Sequence, residues 1–143
     1  MKKVLTLITT ICLFVTLSGV GYGEENKSTT IIYHVNPNYT VTIPSTATLG
    51  SDLIVSASNV VIEYGKKLNV KISSDFKLSN NDYEVAYNIT SGTNTIESGD
   101  IVLTVDPASA NSGSSTLTLN VPNDGFKYAG DYSGTLNFTI SVE

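Results

Sequence analysis

One histidine, one cysteine and thirteen carboxylates are the residues of this 143-residue chain that could build acid–base, nucleophilic or metal chemistry. A hydrolytic triad needs His34 beside an activated serine and an orienting acid. No Gly-x-Ser-x-Gly elbow or equivalent supplies one. Ile32 is the parity partner of His34 in IIYHV, so His34 is expected on a sheet face as a structural or surface residue. Zinc would have to lean on carboxylates, and zinc sites are usually built from Cys and His. For calcium, SNNDYE (79–84) and VDPASANSG (105–113) are rich in oxygen ligands, but neither has the Asp-x-Asp/Asn-x-Asp/Asn-Gly spacing. Asn and Asp in such stretches also form ordinary turns. The expectation is no catalytic residue, no metal and no cofactor. A small glycan hydrolase is the remote alternative, because its paired carboxylates need a cleft with two walls.

Tyrosine is the residue type with binding potential, since its flat ring stacks on sugars or fills partner pockets. Tyr39, Tyr83 and Tyr87 run in phase with apolar neighbours and are expected to pack on sheets. Phe126 and Tyr128, in the loop PNDGFKYAG, are the weak binding candidates.

The elements that must position these residues are strands. Tyr39-Val41-Ile43, Leu68-Val70-Ile72, Tyr83-Val85-Tyr87-Ile89, Ile101-Leu103-Val105, Leu117-Leu119-Val121 and Leu136-Phe138-Ile140-Val142 each alternate with polar residues. Between Leu53 and Tyr64 the apolar parity changes near Ser58-Asn59, which predicts a bulge or turn, because parity decides which face is buried. The loop PASANSGSS, 107–115, reads as polar and irregular. About eight strands with one apolar face each predict an all-β fold, an antiparallel β-sandwich.

Ahead of this pattern, Lys2 and Lys3 precede an apolar run from Val4 to Leu17 and a small-residue exit at Gly21 and Gly23. These are the three parts of a secretory signal peptide, with cleavage expected after Gly23. The run is shorter than the roughly 20 residues needed to span a bilayer. The expected organisation is a leader over 1–23 and one domain over 24–143. Cys12 lies inside the leader, so thiol chemistry and disulfides are not expected of the domain. With the leader's two lysines gone, six lysines face thirteen acids, a formal charge of −7 with no arginine. That balance disfavours nucleic acid and anionic lipid as partners. No apolar tail or Leu-Pro-x-Thr-Gly sorting signal follows the last strand, and no membrane insertion is expected after cleavage. The Asn-x-Ser/Thr sequons at Asn26, Asn38, Asn88 and Asn137 carry no glycosylation signal beyond what an Asn- and Thr-rich chain yields.

Several resemblances attach to the final stretch. Gly130 and Tyr132 in AGDYSG resemble the tyrosine corner of immunoglobulin-like sandwiches, where a Tyr hydroxyl bonds upstream backbone. Gly134 stands where the antibody-type cysteine would be, and no Trp is present. The ending G-D-Y-S-G-x-L-x-F-x-I is also similar to the last strand of chaperone-usher pilins, a family in which a neighbour's N-terminal segment supplies a missing strand. In this chain the candidate donor is TTIIYHV, 29–35; folding back into its own sandwich is the other place for it, and the one expected. YTVTIPSTATLG, EYGKKLNVKI and YAGDYSGTLNFTISVE together resemble small secreted immunoglobulin-like, adhesin-like proteins of Gram-positive bacteria. The last strand is similar to the Trp-x-Leu cell-wall-binding family as well, whose defining motif is missing here. The resemblances imply a secreted, extracellular or cell-surface protein with an adhesive or surface-structural role and no catalysis. The implied partner is a cell-wall or host-surface glycan or protein. A polymerising subunit completed by residues 29–35 is the alternative.

Overall fold

The computed structural model describes residues 28–143. The leader expected over 1–23, Cys12 and the Asn26 sequon lie outside them. The chain divides into two units, Met1–Tyr33 and His34–Glu143. Among the described residues no helix is long and apolar enough to cross a membrane.

The fold is all-β. Among the described residues ten strands follow one another: β1 Asn38–Thr42, β2 Asp52–Val61, β3 Leu68–Ile72, β4 Lys77–Asn80, β5 Tyr83–Ala86, β6 Asn88–Ser91, β7 Asn94–Ile96, β8 Ile101–Val105, β9 Gly113–Asn120 and β10 Phe138–Val142. They form a five-stranded sheet β1-β2-β9-β6-β7, a three-stranded sheet β10-β3-β8 and a hairpin β4-β5. Every pairing is antiparallel. Alternate side chains of the two larger sheets meet in one apolar core, a sandwich-like arrangement. Leu53, Val55 and Leu117 come from one sheet and Leu68, Val70 and Ile72 from the other, all nearly or fully buried.

Alternation explains most of these elements, because strand side chains point to opposite faces in turn. In β2, Leu53, Val55 and Ala57 are buried, and after the parity change so is Val60. Asn59 takes up the extra residue at φ 54°, and the β1–β2 register skips between Asn38 and Thr40 opposite it. Left-handed φ is tolerated by Asn better than by most residues. The bulge expected near Ser58-Asn59 is present.

Three expectations are corrected. Tyr83–Ile89 is two strands in different sheets. The chain changes sheet at Tyr87, whose N–H donates to the Phe76 carbonyl. The loop expected over 107–115 is shorter, since β9 begins at Gly113 and its Gly113–Ser115 segment pairs with Val55–Ala57. Residues 29–35 fold into no strand. The described residues 28–37 carry none, and Ile31 and Tyr33 are 90% and 80% exposed.

Candidate functional site

His34 is exposed and outside any strand, where its Nε2 lies 3.1 Å from Asn36 Oδ1. Four of the described carboxylates hold turns or strands in place. Asp52 accepts from the Thr118 hydroxyl at 2.7 Å, Asp100 from the Glu97 N–H and Asp106 from the Ala108 N–H. Glu84 meets Lys77 at 2.8 Å, and this partner holds the lysine's pKa above its ordinary value. No group of three or more His, Cys, Asp or Glu able to hold a metal occurs among the described residues.

Two features stand out from this background. The first is an array of four aromatic rings that joins the β4–β5 hairpin to the loop before β10. Tyr83 meets Tyr128 edge-on with centroids 5.2 Å apart, and Tyr132 at 6.4 Å. Phe126 meets Tyr132 edge-on at 4.9 Å. Edge-to-face packing aligns the positive rim of one ring with the negative face of the next. Hydroxyls fix the array to backbone: Tyr83 donates to the Gly125 carbonyl, and Tyr132 donates to the Tyr128 carbonyl at 3.0 Å, four residues upstream. Lys127 Nζ lies 5.8 Å from the Tyr83 ring centre. Phe126 and Tyr128 remain 42% and 64% exposed despite this anchoring. Tyr87 is buried and packs on Phe76, and burial raises its hydroxyl pKa, with a lesser push from Asp75. Tyr39, expected to pack on its sheet, is 41% exposed.

Glycines let the loop sit where it does. Gly130 has φ 137°, and a Cβ there would lie 2.6 Å from Asn80 Nδ2. A Cβ on Gly134 would collide with the Lys77 carbonyl. That approach is locked by two backbone bonds between Ser79 and Ser133, of 2.8 and 3.0 Å. Gly134, which stands where an antibody-type cysteine would be, is required by contact with β4.

The second feature is a groove of about 790 Å³ at one end of the sandwich, lined by apolar and polar residues alike. One rim is the loop Ile43–Leu49 after β1, and the other is Gly130–Phe138 leading into β10. Core residues Leu53, Tyr87 and Leu119 reach into it. Compared with known protein families, curated proteins and solved structures, the chain matches none.

From the groove, the open side continues along β10. Phe138, Ile140 and Val142 pair with Ile72, Val70 and Leu68. Directly opposite residues of an antiparallel pair share a face. Those three β3 residues are fully buried, whereas Ile140 and Val142 are 40% and 38% exposed. The inward face of β10 is thus the place where core cover stops. Sequence reasoning missed the groove, because its rims are far apart in the chain and neither carries a motif. It singled out Phe126 and Tyr128 but not their link to Tyr83.

Proposed function

We propose that this chain is a secreted, surface-associated, non-catalytic β-sandwich protein with an adhesive or surface-structural role. The observation that carries the reading is the anchored array at the loop before β10. Phe126 and Tyr128 offer exposed aromatic surface whose backbone is already held by Tyr83 and Tyr132. Rigid aromatic surface binds with little loss of conformational freedom, and a bare ring face suits the apolar face of a sugar ring as well as a protein pocket. The partner is a cell-wall or host-surface glycan or protein. The leader-like start of the sequence supports export.

The test is a panel of wall and host glycans and proteins probed with residues 24–143 and with Tyr128→Ala. Binding by the parent that falls at least about tenfold in the variant, the scale of an aromatic anchor, is the expected result. No binding across the panel, or equal binding by the variant, overturns the reading.

A second reading, a polymerising subunit of a surface structure, draws on a different observation. Ile31, Ile32, Tyr33 and Val35 expose apolar side chains in a stretch that alternates like a strand, and β10 has one unpaired edge among the described residues. Both readings lead to a surface protein that acts by binding. They differ in whether the bound partner is foreign or another copy.

A further inference from the structure

We infer that the edge of β10 left unpaired among the described residues is a seat for an added β-strand, and that its occupant is residues 29–35 of a second copy of this chain. The inference rests on the second reading above and gives it a surface, an orientation and a register.

Hydrogen bonding along β10 shows which backbone groups are on offer. Glu143 and Lys67 exchange both bonds, N–H to carbonyl in each direction, at 3.0 and 2.7 Å. In an antiparallel ladder every second residue makes such an exchange, so Ser141 and Thr139 also face β3. The N–H and C=O of Phe138, Ile140 and Val142 therefore point to the open side. Their side chains share the inward face whose cover is missing. One added strand would satisfy both, pairing the backbone groups and covering the apolar face.

This edge is also the undefended one. Proteins blunt sheet edges with charge, proline, bulges or brevity. Edge strand β7 has three residues, and the ladders of β1 and β8 each contain a register shift. The hairpin strands β4 and β5 carry Lys77 and Glu84. β10 has five residues, FTISV, with no charge or proline and an unbroken register.

The occupant is argued from the chain itself. Ile31, Tyr33 and Val35 lie on one parity, three apolar side chains against the three of β10. All are exposed, so the segment has apolar surface to bury. Its own copy is poorly placed to receive it. Asn38 pairs with Val61, at the end of β2 that leads to Leu68, and Val142 pairs with Leu68. A chain entering β1 at Asn38 would run along its own β10 in parallel. It would have to cross between sheets and reverse direction within Asn36-Pro37. Sheets pack about 10 Å apart. The three residue steps from Val35 to Asn38 reach only about 10–11 Å fully extended, which leaves no length for the reversal. A second copy has no such constraint and can pair antiparallel, the more stable mode. The register places Val35 opposite Phe138, Tyr33 opposite Ile140 and Ile31 opposite Val142.

The experiment measures the mass of residues 24–143 by light scattering from micromolar to near-millimolar concentration. The parent should associate with rising concentration. Tyr33→Asp, which spoils the donor, and Ile140→Pro, which removes an outward N–H, should each stay monomeric with an unchanged far-UV spectrum. Mixed, they should regain a one-to-one dimer, because each still holds the half the other lacks. Tyr33→Cys mixed with Ile140→Cys provides a second test that needs no proline. The processed chain has no cysteine of its own, so oxidation should give a heterodimer. A parent that stays monomeric overturns both this inference and the polymerising reading. A parent that associates while both single variants still associate, or while the cysteine pair fails to cross-link, overturns the strand seat and leaves polymerisation through another surface.

Discussion

Replacing Gly134 with alanine should destabilise the sandwich through a single collision. The added Cβ would meet the Lys77 carbonyl at a separation that Cβ atoms do not tolerate, with Leu78 Cδ2 behind it at 3.0 Å. A backbone carbonyl within a strand cannot rotate away as a side-chain tip can. Segment 130–136 must therefore lift off β4 and surrender the two Ser79–Ser133 backbone bonds. Two such bonds contribute about 1 kcal/mol each, and forced overpacking typically costs about 1–3 kcal/mol. The sum is about 3–5 kcal/mol, bounded above by what the segment contributes, because it can detach without the rest unfolding.

For a domain of this size, that loss corresponds to a fall of roughly 12–25 °C in Tm. The assay is thermal unfolding by circular dichroism, with Gly65→Ala as the control. Gly65 has φ 79° and nothing within 4 Å of an added Cβ, so its cost is conformational alone, about 1–2 kcal/mol. Gly134 has no left-handed φ to lose. If Gly134→Ala melts no lower than Gly65→Ala, the close approach of the loop to β4 is wrong, and so is the account of how the aromatic array is anchored.

Tyr132→Phe keeps the ring contacts with Phe126 and Tyr83 but loses the hydroxyl bond to the Tyr128 carbonyl. Because water can replace the donor at an exposed carbonyl, the cost should be at the low end of about 0.5–1.5 kcal/mol, with faster amide exchange confined to 128–132. Leu117→Ala removes a fully buried side chain between the sheets and should cost about 2–5 kcal/mol in denaturant unfolding. Tyr64→Ala, at a fully exposed position, should stay within about 0.5 kcal/mol of the parent. The Tyr87 pKa is raised by burial above its ordinary value of 10.0, so the folded state holds this proton more tightly than the unfolded chain. Its contribution to stability is complete below pH 10 and is lost as pH rises from there through the folded pKa. Tyr87→Phe should flatten that alkaline decline, measured as unfolding midpoint against pH. An unchanged slope would refute the assignment.

The fold was legible wherever a strand shows one face to the core. β1, β2, β3, β8 and β9 fall where the alternation puts them, bulge included. β4 and β7 were illegible because Lys77–Asn80 and Asn94–Ile96 are short and mostly polar. The break in Tyr83–Ile89 was illegible for a different reason. All four apolar residues keep the same parity across it, and each is wholly or partly buried on either side. Parity reports which residues face inward and is silent on which sheet carries them. At the other end of the chain, alternation from Leu136 suggested a strand two residues longer than β10. The ladder starts at Phe138 because β3 ends at its partner Ile72. Beyond that point Asn137 donates its N–H to the Ser74 hydroxyl and accepts from the Ser73 N–H.

The same limit explains why candidate sites were only partly visible. Exposure of Phe126 and Tyr128 follows from loop composition, but their anchoring depends on Tyr83, which alternation assigns to sheet packing alone. The open edge is a property of neighbours. Ile140 and Val70 are equivalent in sequence pattern, each apolar, central in a five-residue strand and flanked by polar residues. One is fully buried and the other 40% exposed, because among the described residues Val70 has a strand on both sides and Ile140 on one. Hydropathy and parity cannot separate these cases, whereas strand order does so at once. Together with the exposed parity set Ile31, Tyr33 and Val35, strand order is the observation on which the proposed strand seat at β10 rests.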